Sequence, residues 1–446
     1  MNTVSINKNN NKSFKPINQF SYLVRDNSHF VLISLMIFSY FYNLPVLFYS
    51  AKGDNELRLY DLLGVFVFYI FIQNFKFYYI VIKKIDVFKW LYYFVLWCSF
   101  SIILTFLFSV FNDKLSSFFQ SVLYLYHLWV FFITSILFYV ISFNKNRLKL
   151  FVYLLLIFST LSCLVIVLQN FSIIPFLWSD IYYKGYAGFL SGTLGPNKIV
   201  TGMFSLIMSI FAIGLVFNKK IEINKVFVIL VIFINLYVLL LSGSRTSYVG
   251  LLVFIVFFSF YKTGGFVFFS ISIGSFFAFF IMSNPGLYEK MNDVISNRVI
   301  NKIEDDQDIE NANVGKLYED LGAGRGRLSM NYINYLGNYP EVIPFGMGFN
   351  NRITKGFSAH NMYLNVIKEL GLVGFVLYFG WLLKYLQISF KNYSGYALAL
   401  KGLILSMLVA LFFGEHLYIY RPLFAILGLF LIVVNALISS LHNNES

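Results

Sequence analysis

Residues 225–262 read KVFVILVIFINLYVLLLSGSRTSYVGLLVFIVFFSFYK. Two apolar runs are joined there by a short turn of small and polar residues. Each run approaches the ~20 apolar residues that a helix needs to cross a bilayer. Lysines (Lys225, Lys262) close the pair at its distal ends, and the turn carries Arg245. Working outward, comparable runs recur from His29 to Leu441. They predict helices near 29–50, 61–82, 87–111, 115–143, 148–170, 198–217, 224–242, 246–261, 265–283, 360–390, 396–414 and 417–441. In the second, Gln73, Asn74 and Lys76 read as a polar face turned into the bundle. The chain is 58% hydrophobic and 12% charged, against about 25% charged in soluble domains. A water-soluble fold of this size would not cover so much apolar surface. The expected fold is therefore an all-α polytopic membrane protein of about 12 transmembrane helices, within a range of roughly 10–13, with one large non-cytoplasmic loop.

The loops give the orientation. Lys8, Lys12, Lys15 and Arg25, then Lys83-Lys84, Lys145/Arg147/Lys149, Lys219-Lys220/Lys225 and Lys262, all fall on one side. Positive residues in short loops mark the cytoplasmic side. The net charge of +13 is thus a membrane signal, and no nucleic-acid partner is expected. Residues 1–28 lack the apolar core of a signal peptide and read as a cytoplasmic tail. The expected organisation continues with transmembrane helices 1–9 at 29–283, a periplasmic or extracellular loop with short helices at 284–359, transmembrane helices 10–12 at 360–441, and a cytoplasmic tail at 442–446. Short helices are expected in that loop at Leu287–Val299 and Arg327–Leu336. The loop holds the acidic run Glu304–Glu310, whose Gly and terminal Glu are misplaced for a calcium loop. No metal site is expected. Cys98 and Cys163 fall inside apolar spans and support neither a disulfide framework nor a metal site.

Lysine and arginine segregate. Seven of nine arginines fall on the outer side: Arg58, Arg245, Arg298, Arg325, Arg327, Arg352 and Arg421. Topology signalling treats the two cations alike and does not explain this. The guanidinium fork binds phosphate through paired, charge-assisted hydrogen bonds and stays protonated. Outward arginines beside apolar helix ends suit a lipid-linked phosphate or diphosphate; anchoring to lipid headgroups is the plainer alternative.

Four motifs stand on the outer side. Gly192-Thr-Leu-Gly-Pro-Asn197 precedes a span, with Pro196 and Asn197 suited to a helix start. Leu241-Ser-Gly-Ser-Arg-Thr-Ser247 puts a helix N-terminus beside Arg245, an arrangement that suits an anion but also serves as a plain turn. Gly326-Arg-Leu-Ser-Met-Asn331 is followed by Pro344-Phe-Gly-Met-Gly-Phe-Asn350. Ser358-Ala-His-Asn-Met-Tyr-Leu364 continues to Glu369-Leu-Gly-Leu-Val-Gly374 and opens the tenth span. His360 there can take or give a proton near neutral pH; a histidine at a helix start also serves as a cap.

In this order the motifs resemble the O-antigen ligase/polymerase superfamily, over about residues 190–380. The resemblance implies a metal-independent membrane glycosyltransferase that uses no cofactor. Its substrate would be an undecaprenyl-diphosphate-linked oligosaccharide, handled at the outer face of a bacterial cytoplasmic membrane. By position, Arg245, Arg327 and His360 match the functional residues, and Arg325 is a further match. Arg352, Asn197, Asn361 and Tyr363 are expected to help bind the diphosphate or sugar, and Tyr182 and Tyr183 to stack on sugar rings. The leading expectation is a polysaccharide polymerase, for O-antigen or capsule, with membrane lipid and a chain-length regulator among its partners. The alternatives are an O-antigen ligase acting on lipid A-core or protein, and a lipid-linked oligosaccharide flippase.

Overall fold

A computed structural model of the chain describes residues 27–47, 57–178, 191–218, 223–262, 264, 267, 270–271, 274, 325–351, 359–388, 394–418 and 424–445. The elements among them, in chain order, are α1 (Asn27–Phe41), β1 (Pro45–Leu47), β2 (Leu57–Arg58), α2 (Leu59–Gln73), α3 (Phe75–Lys84), α4 (Asp86–Phe111), α5 (Leu115–Ile141) and α6 (Lys145–Asn170). There follow α7 (Lys198–Val216), α8 (Lys225–Ser242), α9 (Arg245–Tyr261), α10 (Arg325–Asn338), a single 3-10 turn (Pro340–Val342), α11 (Met362–Gln387), α12 (Gly395–Ala410) and α13 (Phe424–Glu445).

Among the described residues, seven helices are long and apolar enough to cross a membrane, or eight if α2 and α3 form one bent span. Three shorter apolar helices, α1, α9 and α12, join them. The lipid side shows in what stays outside: Ile72, Phe100, Phe111, Leu230, Leu252 and Phe260 are all exposed. The inside holds small and polar residues as well as apolar ones, which lets helices approach closely. Gly214 faces Gly395, and a Cβ on Gly202 would stand 2.6 Å from Ser244 Cβ. α5, α7 and α13 are the central helices, buried along most of their length. Asparagine side chains start several helices, since the first backbone N–H groups of a helix need acceptors. Asn144, Asn197, Asn224 and Asn361 cap α6, α7, α8 and α11 in this way.

Long-range contacts sort the helix ends into two sets. At the lower end, Arg147 Nη2 donates to Asn27 Oδ1 (3.0 Å), and Tyr139 pairs with His442 (3.3 Å). At the upper end, Asn43 N donates to Thr193 O (2.8 Å), Thr105 to Phe349 O (2.7 Å), and Met362 N to Leu411 O (2.9 Å). This pairing of ends follows the alternation expected from the charged loops.

Several expected spans need correction. The first ends at Phe41, where Asn43 and Pro45 divert the chain into an antiparallel pair, Pro45 opposite Arg58 and Leu47 opposite Leu57. The second is not a continuous helix with a polar face. It breaks at Asn74 with an 88° bend. Asn74 leaves helical geometry, and its amide donates back to Ile70 O (3.1 Å). The last helix begins at Phe424, because Gly414-Glu-His-Leu-Tyr418 runs as turns. Most of the expected helix 265–283, the helix at Leu287–Val299 and the run Glu304–Glu310 lie outside the described residues.

The expected helix 360–390 is also interrupted. At Gly371 the backbone turns to φ 69°, ψ −171°, inside α11. The freed backbone groups are taken up by the segment before it. Met347 N donates to Lys368 O (2.9 Å), and Gly348 N donates to Glu369 O (2.9 Å). Trp97 Nε1 donates to Leu370 O (2.9 Å). Leu372 N and Val373 N donate to Ile343 O (2.8 Å) and Pro344 O (3.5 Å). Irregular backbone at membrane depth persists only where protein satisfies it, because an unpaired group in hydrocarbon costs several kcal/mol. A Cβ at Gly371 would collide with Pro344 O, and one at Gly346 with Glu369 O. Only glycine allows this approach at positive φ.

A second buried polar unit ties the first helices together. Arg58 N donates to Asp61 Oδ2 (2.7 Å), and Asp61 Oδ1 contacts His127 Nε2 on α5. The Arg58 guanidinium donates to Asn43 Oδ1 (2.9 Å) and contacts the Tyr60 hydroxyl (3.2 Å). Arg58, Asp61 and His127 are all buried. Arg58, expected among the phosphate-facing arginines, is thus engaged within the protein.

Two stability predictions follow from these contacts. Gly371→Ala should lower the thermal unfolding midpoint in detergent, losing at least roughly 1–3 kcal/mol for the left-handed backbone alone; an unchanged midpoint would contradict the interlock. Asp61→Ala removes the carboxylate that both His127 and Arg58 N contact and should cost about 3 kcal/mol. Asp61→Leu combined with His127→Leu should recover part of that loss in the same assay.

Candidate functional site

The upper end holds a set of buried ionisable side chains: Arg58, Asp61, His127, Lys368, Glu369, Glu415 and His416. Such groups are costly inside a membrane protein and mark partners or function. Among the described residues, no group of three His, Cys, Asp or Glu side chains could hold a metal ion.

Arg245 opens α9 at this end. Gly243 closes α8 in the left-handed conformation (φ 57°), so the chain reverses within two residues. Ser247 Oγ donates to Ser244 Oγ (2.9 Å), and Ser244 N to Ser242 Oγ (3.2 Å). The turn packs on Gly202, one helical turn into α7. Its small residues are what let it sit that close. Arg245 itself is half-buried.

His360 sits just before α11 in the left-handed region, φ 48°. A non-glycine residue there is strained by roughly 1 kcal/mol or more, a state kept only where its surroundings force it. The preceding residue is pinned through both of its backbone polar groups. Ala359 N donates to Asn365 Oδ1 (3.3 Å), and Ala359 O accepts from Ser329 Oγ (3.3 Å). The imidazole is half-buried. Met362 N reaches Leu411 O at the end of α12, and α12 packs along α9 with the Ser406 carbonyl 3.8 Å from a Cβ at Gly250. Arg245 and His360 therefore stand at the same end of α12.

The Ser329 contact brings α10 to the same place. Ser329 lies two residues after Arg327 and four after Arg325, so the first turn of α10 begins beside Ala359-His360. The backbone of Arg325 and Arg327 is helical; their side chains lie outside the described residues. Arg352, Tyr182 and Tyr183 lie outside them entirely.

The remaining expected binding residues are engaged in holding the frame. Asn197 Oδ1 accepts from Ile199 N (2.9 Å), and Asn361 Oδ1 from Tyr363 N (2.9 Å). The Tyr363 hydroxyl donates to Leu408 O (2.8 Å), and its ring stacks on Phe379 at 4.2 Å. These residues position the helix starts and pack them. Asn43 Nδ2 on Leu194 O (2.9 Å) and Gln169 Oε1 on Gly192 N (2.8 Å) fix the Gly192–Asn197 segment against α1 and α6.

Several contacts at this end escaped the sequence reading. Glu369 Oε2 accepts from Asn350 N (3.0 Å) and the Tyr418 hydroxyl (2.9 Å). Asn350 Nδ2 meets Ser121 Oγ (3.2 Å) on α5. Lys368 packs beneath Tyr332 of α10. Asp61 and His127 carried a signal, since ionisable residues inside apolar runs call for a partner. Their separation of 66 positions gave no hint that they pair with each other.

A comparison with curated proteins found no match. Residues 230–379 match the family described as O-Antigen ligase. That stretch contains Arg245, Arg325, Arg327, Arg352, His360, the break at Gly371 and the segment that fills it. This match supports the O-antigen ligase/polymerase superfamily for this region of a multi-pass membrane protein.

Proposed function

We propose that the chain is a polysaccharide polymerase at the outer face of a bacterial cytoplasmic membrane. It transfers an undecaprenyl-diphosphate-linked glycan onto the next lipid-linked repeat unit. The observation that carries this reading is the Ser329–Ala359 hydrogen bond, which joins the start of α10 to the His360 segment. Two arginine-bearing elements, the Arg245 turn and the Arg325-Gly-Arg327 turn, then share one end of the bundle with His360 within the matched stretch.

The chemistry follows from that set. The acceptor hydroxyl attacks C1 of the donor sugar, its proton passes to a base, and the C1–oxygen bond to the diphosphate breaks. Negative charge grows on the leaving diphosphate. Arg245 and Arg327, with Arg325 and Arg352, would hold and neutralise it, since fixed cations act most strongly where water is excluded. His360 would take the acceptor's proton, or position the diphosphate. The isoprenoid would lie between spans, in contact with lipid.

Arg245→Ala, Arg327→Ala and His360→Ala should each cut polymer synthesis by about 10²–10³-fold, the scale of removing one preorganised group, while the protein stays in the membrane. Polymer of normal length from all three would sink the assignment. A deletion strain separates polymerase from ligase. Loss of a polymerase leaves single repeats attached to the final acceptor, whereas loss of a ligase leaves long chains on the lipid carrier.

A further inference from the structure

Just before its break, α11 carries two consecutive charged residues that are both buried, Lys368 and Glu369. They grip different elements around the break. Glu369 holds Asn350 N and the Tyr418 hydroxyl. Lys368 holds α10. Its Nζ lies 4.7 Å from the Tyr332 ring centre, 5.9 Å from that of Tyr335, and 3.5 Å from the Tyr332 hydroxyl. Ser329, Tyr332, Tyr335 and Leu336 recur at helical spacing, and Ser329 and Leu336 are buried. That stripe is the docking face of α10. A leucine or methionine would fill the space under two tyrosines without the cost of burying an ammonium. A cation there adds what an apolar side chain lacks: a preferred position over the ring faces, and so a fixed rotation of the helix above it.

We infer that Lys368 is a positioning residue. Through Tyr332 and Tyr335 it sets the rotation and register of α10, and thereby keeps the Arg325–Arg327 turn beside His360. It touches no substrate. The inference rests on the proposed function for its consequence, but the clamp itself is testable without activity.

The test uses the full chain in proteoliposomes, with Ser329→Cys and Ala359→Cys and a short bifunctional thiol reagent. Lys368→Met should slow cross-linking of the folded protein by roughly tenfold, the scale of one desolvated cation–π contact. Lys368→Arg should restore it. Without the cysteines, Lys368→Met should lower kcat/KM for a lipid-linked repeat unit by a similar factor, with Lys368→Arg again close to wild type. Tyr332→Leu combined with Tyr335→Leu should reproduce the Lys368→Met defect, and adding Lys368→Met to that pair should change nothing more. Cross-linking in Lys368→Met at the wild-type rate would overturn the clamp. A further activity loss on adding Lys368→Met to the tyrosine pair would also overturn it, because Lys368 would then act on substrate directly. If cross-linking responds as stated while the wild-type protein never lengthens the glycan, the clamp stands and the enzymatic reading falls.

Discussion

The upper end of this protein depends on one exchange of backbone hydrogen bonds. α11 gives up its own ladder at Gly371, and the Val342–Gly348 segment supplies both acceptors and donors in its place. In hydrocarbon each unpaired group would cost several kcal/mol, so the break and the filling segment are conditional on each other. Neither half is stable in this form alone. Two glycines meet at the contact because each backbone comes within reach of the other's missing side chain. The Phe349-Asn350 end is then tied to α4 and α5 by Thr105 and Ser121. An irregular segment is thereby fixed among the helices, rather than resting on top of them.

That fixation makes an ordered polar end possible in a chain built for lipid. Once the segment is anchored at Gly346–Gly348, α10 has a defined place, and Ser329 can bond to Ala359. His360 is held in a strained conformation between Ala359, bonded to Asn365, and Asn361, which caps α11. The Arg58–Asp61–His127 unit, on the other side of the same end, secures the first helices and the 191–197 segment through Asn43. Asn197, Asn361 and Glu369 spend hydrogen bonds on architecture, and Arg245 and His360 are half-buried at the same end.

The sequence made the long helices legible and the exceptions illegible, for one physical reason. Apolar runs bounded by lysines report burial in lipid, and 87–111, 115–143 and 198–217 agree with α4, α5 and α7 to within a few residues. A run says nothing of whether its backbone stays helical. The bend at Asn74 and the break at Gly371 depend on partners: Asn74 on its own i−4 carbonyl, Gly371 on a segment more than twenty residues upstream. The motifs fall at chain reversals, because glycine, proline and asparagine clusters mark where the chain must turn. Their order did not reveal that Asn197, Asn361 and Tyr363 are committed to caps and packing. Nor did it show that Lys368 and Glu369 brace the segment above them, since a buried charge is recognised only once its partners are known.

The central claim is that this polar end performs a glycosyl transfer, and purified protein tests it most directly. The full chain, reconstituted with undecaprenyl-diphosphate-linked repeat units and a metal chelator, should convert them into a ladder of longer lipid-linked glycans. Repeat units that remain single, in vesicles where the protein is folded and correctly inserted, would contradict it.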